Sequence, residues 1–225
     1  TMIVTVTNQK GGVGKTTLSM SLATYWHRQQ DAPVTLIDAD PQRSSERWRA
    51  RGTLGLGKEE LPPVVTCTEG TEIEEACLRL RRKAGRVVID TPPSLTSRNA
   101  VASAIQAADL VLLPIRPSIL DLDSLGDVRR LIQAESPNTQ VLVVVSLARA
   151  SWSATREVRH SVEKLGYPCA KTVIHERAAH ARAALTGSLW ALPPAIRRPA
   201  TGEIASLAAE IEELLAGLRQ EREAA

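Results

Sequence analysis

The sequence predicts an α/β fold in which a mostly parallel sheet of seven or eight strands carries helices on both faces. Three observations predict it. Short β-branched runs alternate with helix-patterned segments along the chain. The 225 residues are 43% hydrophobic but only 3% aromatic, with no Phe, so the core is built from Val, Leu, Ile and Ala, as suits a buried parallel sheet. A glycine-rich turn also follows the first strand pattern and opens the first helix pattern, on the rim where right-handed crossovers gather the loops.

Strands are expected at 3–7 (IVTVT), 34–38 (VTLID), 64–67 (VVTC), 86–90 (RVVID), 110–115 (LVLLPI), 141–146 (VLVVVS) and 171–174 (KTVI). Helices are expected between them at 16–28, 44–51, 72–83, 98–107, 122–134 and 154–165. A last amphipathic helix is expected at 201–219. There Ile204, Leu207, Ile211, Leu214, Leu215 and Leu218 recur at helical spacing, with Thr201 as N-cap and Glu203 in the first turn. The proline pairs at 62–63, 92–93 and 193–194 read as loop punctuation. With no internal repeat and no low-complexity linker, the economical expectation is one domain over 1–225.

Composition narrows the function classes. A formal charge of +3 permits nucleic-acid contact without demanding it. Cys67, Cys77 and Cys169 are odd in number and lack C-x-x-C spacing, which argues against a disulfide framework or a zinc site. No apolar run approaches the roughly 20 residues of a membrane span, and the N-terminal residues lack a basic signal region. A cytoplasmic protein is expected.

Residues 9–17 read QKGGVGKTT. Gly11, Gly12 and Gly14 let backbone N–H groups on either side of Val13 approach phosphate oxygens, and the helix N-terminus adds positive potential. Lys15 supplies charge toward the β/γ-phosphates, Thr16 a hydroxyl for Mg²⁺, and Thr17 a donor toward the α-phosphate. The usual pattern G-x-x-x-x-G-K-[ST] wants Gly at position 9, where this chain has Gln, and an additional lysine, Lys10, stands five residues before Lys15. A second motif, LIDADPQRSS, sets Asp38 and Asp40 two apart, on one side of a strand end, where they could position an attacking water or hold a metal's water shell. A third, RVVIDTPPS, is an apolar strand ending in Asp90, the Walker B arrangement in which the acid reaches Mg²⁺ through water. Together these predict a P-loop NTPase that binds a nucleotide and Mg²⁺.

KGGVGKTT, DADPQRSS and VVIDTPPS resemble the deviant Walker A, Walker A′ and Walker B motifs of the ParA family, and LLPIRPSILDLDSL, TVIHERAAHARAAL and GEIASLAAEIEELL extend the resemblance over nearly the whole chain. It is most similar to the short, ParF-like members without an N-terminal helix-turn-helix. The resemblance implies an ATPase, slow alone, that closes as a sandwich homodimer on ATP. The dimer would bind nonspecific double-stranded DNA and be released when a small adaptor protein, linked to a cargo, stimulates hydrolysis. The cargo would be a plasmid, a chromosome or a protein organelle such as the carboxysome, and the location the nucleoid. It further implies that Lys10 reaches the partner subunit's phosphates, that Asp40 orients the water, that Asp90 holds the Mg²⁺ shell and that Asp121 lies near the nucleotide. A trans role for Lys10 is physically reasonable, because phosphoryl transfer is catalysed by positioning and charge, and a cation supplied in trans adds orders of magnitude in rate.

Lys171, Arg177, Arg182, Arg197 and Arg198 face one acid, Glu176, in the late segment, after which the charge reverses. They are the candidates for phosphate-backbone contacts without base readout. Arg43, Arg47, Arg49 and Arg51, and Arg79, Arg81, Arg82 and Lys83, read as solvated faces. Trp26, Trp48, Trp152 and Trp190 are scattered and read as packing or partner surface. The alternative function, a MinD-like membrane-associated regulator, calls for a basic terminal helix, whereas this C-terminus is acidic, so no membrane partner is expected. An iron–sulfur electron carrier needs cysteines after the Walker B strand, where only Cys169 stands.

Overall fold

The computed structural model describes residues 1–83, 85–93, 97–149 and 153–224. Ser94 of the third motif and Trp152 lie outside the described residues. Seven strands form a sheet: β1 (Met2–Val6), β2 (Val34–Asp38), β3 (Val64–Thr66), β4 (Arg86–Asp90), β5 (Leu110–Ile115), β6 (Gln140–Ala148) and β7 (Ile174–His175). Their order is β3-β2-β4-β1-β5-β6-β7, and every pairing is parallel. The helices are α1 (Lys15–Gln29), α2 (Ser44–Leu56), α3 (Gly70–Arg81), α4 (Arg98–Ala107), α5 (Ile119–Glu135), α6 (Ala154–Lys164), α7 (Ala178–Thr186) and α8 (Pro194–Ala224).

The strand period of two sorts the core onto two faces. Val4, Val6, Val34, Leu36, Leu110, Leu112 and Val144 point to one side and pack with α1, α2, α7 and α8. Ile3, Ile37, Val87 and Ile89 point to the other, against α3 and α4. Val111, Leu113, Val143 and Val145 join that side under α4, α5 and α6. Because both faces are covered, the strands read as continuous apolar runs.

Two expectations about the last helix need correction. It begins at Pro194, so the third proline pair opens a helix, as suits a residue whose fixed φ is pre-set for the first position. Thr201 is therefore interior, its hydroxyl bonding back to the Arg197 carbonyl at 3.2 Å, and Glu203 is no first-turn acid. Its carboxylate instead accepts the His175 amide at 3.1 Å, the His175 ring at 2.8 Å and Arg177 Nε at 3.0 Å. Burial raises the Glu203 carboxyl, but these donors outweigh it and hold its pKa below the ordinary value. Helix α7 lies where no helix was expected.

Helices α2 and α7 meet backbone to backbone. Gly187 closes α7 at φ 80°, and a Cβ there would stand 2.0 Å from the Gly52 nitrogen and 2.3 Å from the Trp48 carbonyl oxygen. Gly187→Ala is therefore expected to cost about 3 kcal/mol, from overpacking plus a left-handed conformation. That corresponds to roughly 10 °C in the unfolding midpoint of a chain this long. A calorimetric midpoint within about 2 °C of wild type would contradict this contact.

Candidate functional site

The strand ends bring the three motifs together. Register pairs Asp38 with Asp90 on β2 and β4, and Val6 with Asp90 on β1 and β4, so both carboxylates lie at the rim from which the β1–α1 loop departs. That loop turns at two positive-φ glycines, Gly12 at 71° and Gly14 at 91°, the latter at the N-cap of α1. A side chain is strained in that conformation. Gly11 and Gly12 are exposed, Gly14 is half-buried, and a Cβ at any of the three would meet no atom within 4 Å. The loop thus presents bare backbone to an open space at a helix N-terminus, the cradle that phosphate oxygens need. Val13 is fully buried beneath it.

Side chains hold this loop in shape. Asn8 Oδ1 accepts the Lys10 amide at 2.9 Å, and Asn8 Nδ2 donates to the Pro114 carbonyl at 2.8 Å. Ser146 Oγ donates to the Val13 carbonyl at 2.7 Å. Lys15 Nζ donates to the Lys10 carbonyl at 2.9 Å. Lys15 is 7% exposed, and burial lowers its pKa while Asp90 and Asp40 oppose the shift. It is therefore a poorly hydrated cation that a phosphate would re-solvate.

Asp90 is the hub of the site. Ser19 of α1 donates to it at 3.2 Å and Ser45 of α2 at 2.8 Å, and the nearby Thr16 hydroxyl also favours its ionised form. Burial, with the nearby Asp38 charge, pushes its carboxyl up to about 7, against those three donors. A cation beside Thr16 favours the ionised form. The donor set fits Mg²⁺, which takes one hydroxyl, water-bridged carboxylate and substrate phosphates rather than an all-protein cage. Among the described residues no group of three or more His, Cys, Asp or Glu side chains could hold a metal unaided.

Asp38 and Asp40 divide their work. Asp38 is fully buried, its oxygens accepting the amides of Asp40 at 3.2 Å and Glu46 at 3.0 Å, so it fixes the loop and the first turn of α2. Burial raises its pKa. Asp40 is half-buried, accepts the Gln42 amide at 2.8 Å and lies within electrostatic reach of Lys15. Thr17 lies half-buried in the first turn of α1.

Lys10 does not point into the cradle. Its ammonium pairs with Asp121 at 3.1 Å and bonds the Leu120 carbonyl, at the start of α5. Asp121 is almost fully buried and also accepts the Arg116 amide at 2.9 Å. Asp121→Asn removes the charge and keeps an acceptor for that amide. For a pair whose lysine is 30% exposed, the freed Lys10 is worth at most about 1 kcal/mol, or about fivefold. In the ATP-driven dimerisation proposed below, the half-saturating ATP concentration should fall by that factor in sedimentation velocity; an unchanged value would show that the pair holds nothing back.

Sequence reasoning missed Asn8, Ser19, Ser45 and Ser146. Ser45 stands in the quoted second motif, but a buried serine on an apolar helix face, as at Ser19, becomes a signal only once the facing strand is known. Of the five late cations, Lys171, Arg182 and Arg198 are exposed. Arg177 is engaged with Glu203, and Arg197 donates to the Trp190 and Leu192 carbonyls at 3.0 and 3.1 Å. Those two secure α8 rather than offering a free charge. Among the described residues no helix is long and apolar enough to cross a membrane.

The family model for the CobQ/CobB/MinD/ParA nucleotide binding domain matches residues 4–190. The chain is 36% identical over 189 residues to "Maintenance of carboxysome distribution protein A" of Gloeobacter kilaueensis, 82% of each chain. It is 29% identical over 185 residues to the protein of the same name from Halothiobacillus neapolitanus, 81% of this chain and 83% of that one. Among solved structures, the MinD cell division protein of Aquifex aeolicus superposes with a TM-score of 0.74 at 18% identity, covering 95% of this chain and 97% of that one. A plasmid partition protein of Borrelia burgdorferi, bound to AMPPNP, superposes at 0.67 and 20% identity, covering 93% and 98%. At these identities the structures speak for the fold alone.

Proposed function

Since the chain belongs to the CobQ/CobB/MinD/ParA nucleotide-binding family, we propose that it is an Mg²⁺-dependent ATPase that dimerises on ATP, binds nonspecific double-stranded DNA and positions a protein organelle of the carboxysome type over the nucleoid. The observation that carries the nucleotide part is the bare glycine cradle with Lys15, Thr16 and Asp90 around it. Lys15 and the loop amides bind the phosphates. Thr16 and Asp90 hold Mg²⁺, which supplies charge neutralisation between the β- and γ-phosphates. Asp40 orients the attacking water. Lys10 leaves Asp121 and completes the partner subunit's site, so the dimer closes only when the γ-phosphate is there to match its charge.

The relatives named for carboxysome distribution favour a protein organelle over a plasmid or chromosome as cargo. Among the described residues, α8 spends its apolar stripe of Ile204, Leu207, Ile211 and Leu215 on the core rather than on a bilayer, which favours the ParA-like over the MinD-like reading. The partner that stimulates hydrolysis is a small adaptor.

The test is duplex DNA binding at moderate salt, with ATP, ADP and no nucleotide. ATP-dependent shifts should disappear in Arg182→Glu/Arg198→Glu, while fluorescent ATP binding stays at wild-type affinity. Arg197 is not a suitable target, since its loss would free two carbonyls at the α8 start. Shifts that persist in the double variant would remove the late segment from the DNA surface; shifts absent from wild type with ATP would remove DNA from the function.

A further inference from the structure

We propose that Arg116 is a positioning residue for Lys10: it is the second cation on Asp121 and keeps that buried carboxylate paired when Lys10 leaves for the partner subunit. The proposal rests on the reading of the chain as an ATP-closed dimer whose Lys10 crosses the interface. Asp121 carries a cation on each oxygen. Lys10 Nζ lies 3.1 Å from Oδ1, and Arg116 Nε lies 3.5 Å from Oδ2, which also accepts the Arg116 amide at 2.9 Å. The Asp121 side chain is only 2% exposed, against 30% for Lys10 and 46% for Arg116.

The fold explains why two cations converge there. Strands β1 and β5 are neighbours in the sheet, and their C-terminal ends feed the segments that carry Lys10 and Arg116. Asn8 ties those segments together, accepting the Lys10 amide and donating to the Pro114 carbonyl, two residues before Arg116. Helix α5 then opens with Asp121 in its first turn, where the helix N-terminus favours a negative charge.

A buried carboxylate stripped of its partner is destabilising, because nothing offsets its lost hydration. Were Lys10 the sole cation on Asp121, its departure would carry that whole cost and the lysine would be locked at home. Arg116 changes the balance. It sits on the other oxygen, so Lys10 can go without displacing it, and its charge and amide stay with the carboxylate afterwards. Two like charges sharing one carboxylate also repel each other, which weakens the hold on each. The Arg116 contact runs through Nε rather than a two-nitrogen fork. What it supplies is therefore a positive charge within reach, not guanidinium geometry.

The test is ATP-induced dimerisation of the full chain, followed by sedimentation velocity as Mg²⁺ and ATP are raised together. Arg116→Gln keeps the amide and removes the cation. It should raise the half-saturating ATP concentration about threefold, the size expected of a half-exposed charge. Arg116→Lys should bring the value back to within about 1.5-fold of wild type, a rescue that lost packing would not show. In an Asp121→Asn background Arg116→Gln should have no further effect, because no carboxylate charge is left to offset. An unchanged or lowered value for Arg116→Gln overturns the proposal. So does a rise that persists in Asp121→Asn, which would place Arg116 in the dimer contact itself. Fluorescent ATP binding is measured alongside. A wild type that binds ATP yet stays monomeric removes the dimer reading and this proposal with it. A wild type that dimerises, with Arg116→Gln indistinguishable from it, removes the role of Arg116 alone.

Discussion

Lys10→Ala is expected to bind ATP with unchanged affinity, to form no ATP-dependent dimer and to lose about 10³-fold in stimulated turnover. The affinity is spared because the cradle does not use the Lys10 side chain. Its ammonium lies on Asp121 and the Leu120 carbonyl, while Lys15 closes the loop through the Lys10 carbonyl, which alanine retains. In the proposed cycle the dimer is lost because the cation that crosses to the partner's phosphates goes with it. Lys10→Arg separates charge from shape. A broader, forked cation keeps the charge but not the reach of an ammonium, so it should dimerise weakly and hydrolyse slowly. Light scattering that shows normal ATP-induced association of Lys10→Ala would end the trans assignment.

Asp40→Ala should reverse that pattern, dimerising normally while single-turnover hydrolysis falls about 10²–10⁴-fold, the range for losing a positioned proton acceptor. The loop itself should survive, since Asp38 holds the Asp40 and Glu46 amides and Asp40 contributes only the Gln42 contact. Asp40→Asn can retain that contact through its side-chain oxygen. If the carboxylate charge is what matters, Asn should be as slow as Ala, and in the proposed cycle DNA-bound dimers of both should outlive those of wild type. Hydrolysis by Asp40→Asn within about threefold of wild type would move the water-orienting role elsewhere.

Six strands were legible to within two residues because β-branched runs bounded by Gly and Pro leave little choice, whereas the seventh, expected at 171–174, is Ile174–His175; the three motifs were legible because phosphate chemistry demands glycine, lysine and hydroxyl at fixed spacing. What was hidden has physical reasons. The segment AAHARAALT carries no wide apolar stripe, so α7 reads as part of a basic loop until Gly52 and Gly187 are seen to bring it onto α2. Pro199 within α8 suggests a helix that starts after it, yet Pro194 nucleates the turn and Arg197 ties it to the Trp190 and Leu192 carbonyls. The same contacts show why a count of cations misjudges a surface: Arg177 and Arg197 are structural, and charge alone does not say so. Lys10 was legible as an oddity of spacing, but its pairing with Asp121 depends on a fold that brings together residues 111 apart.

The phosphate loop takes its shape from the chain's own contacts, with Val13 pinned by Ser146 and Lys10 by Asn8 and Lys15. Nucleotide entry then carries no ordering cost at the loop, and ATP and ADP meet the same α- and β-phosphate cradle. A pocket so rigid is a poor discriminator. In the proposed cycle the preference for the triphosphate then comes from outside the loop, from the Lys10 ammonium that leaves Asp121 for the partner's γ-phosphate. Isolated chains should therefore distinguish the two nucleotides weakly, and selectivity should emerge as a property of the pair.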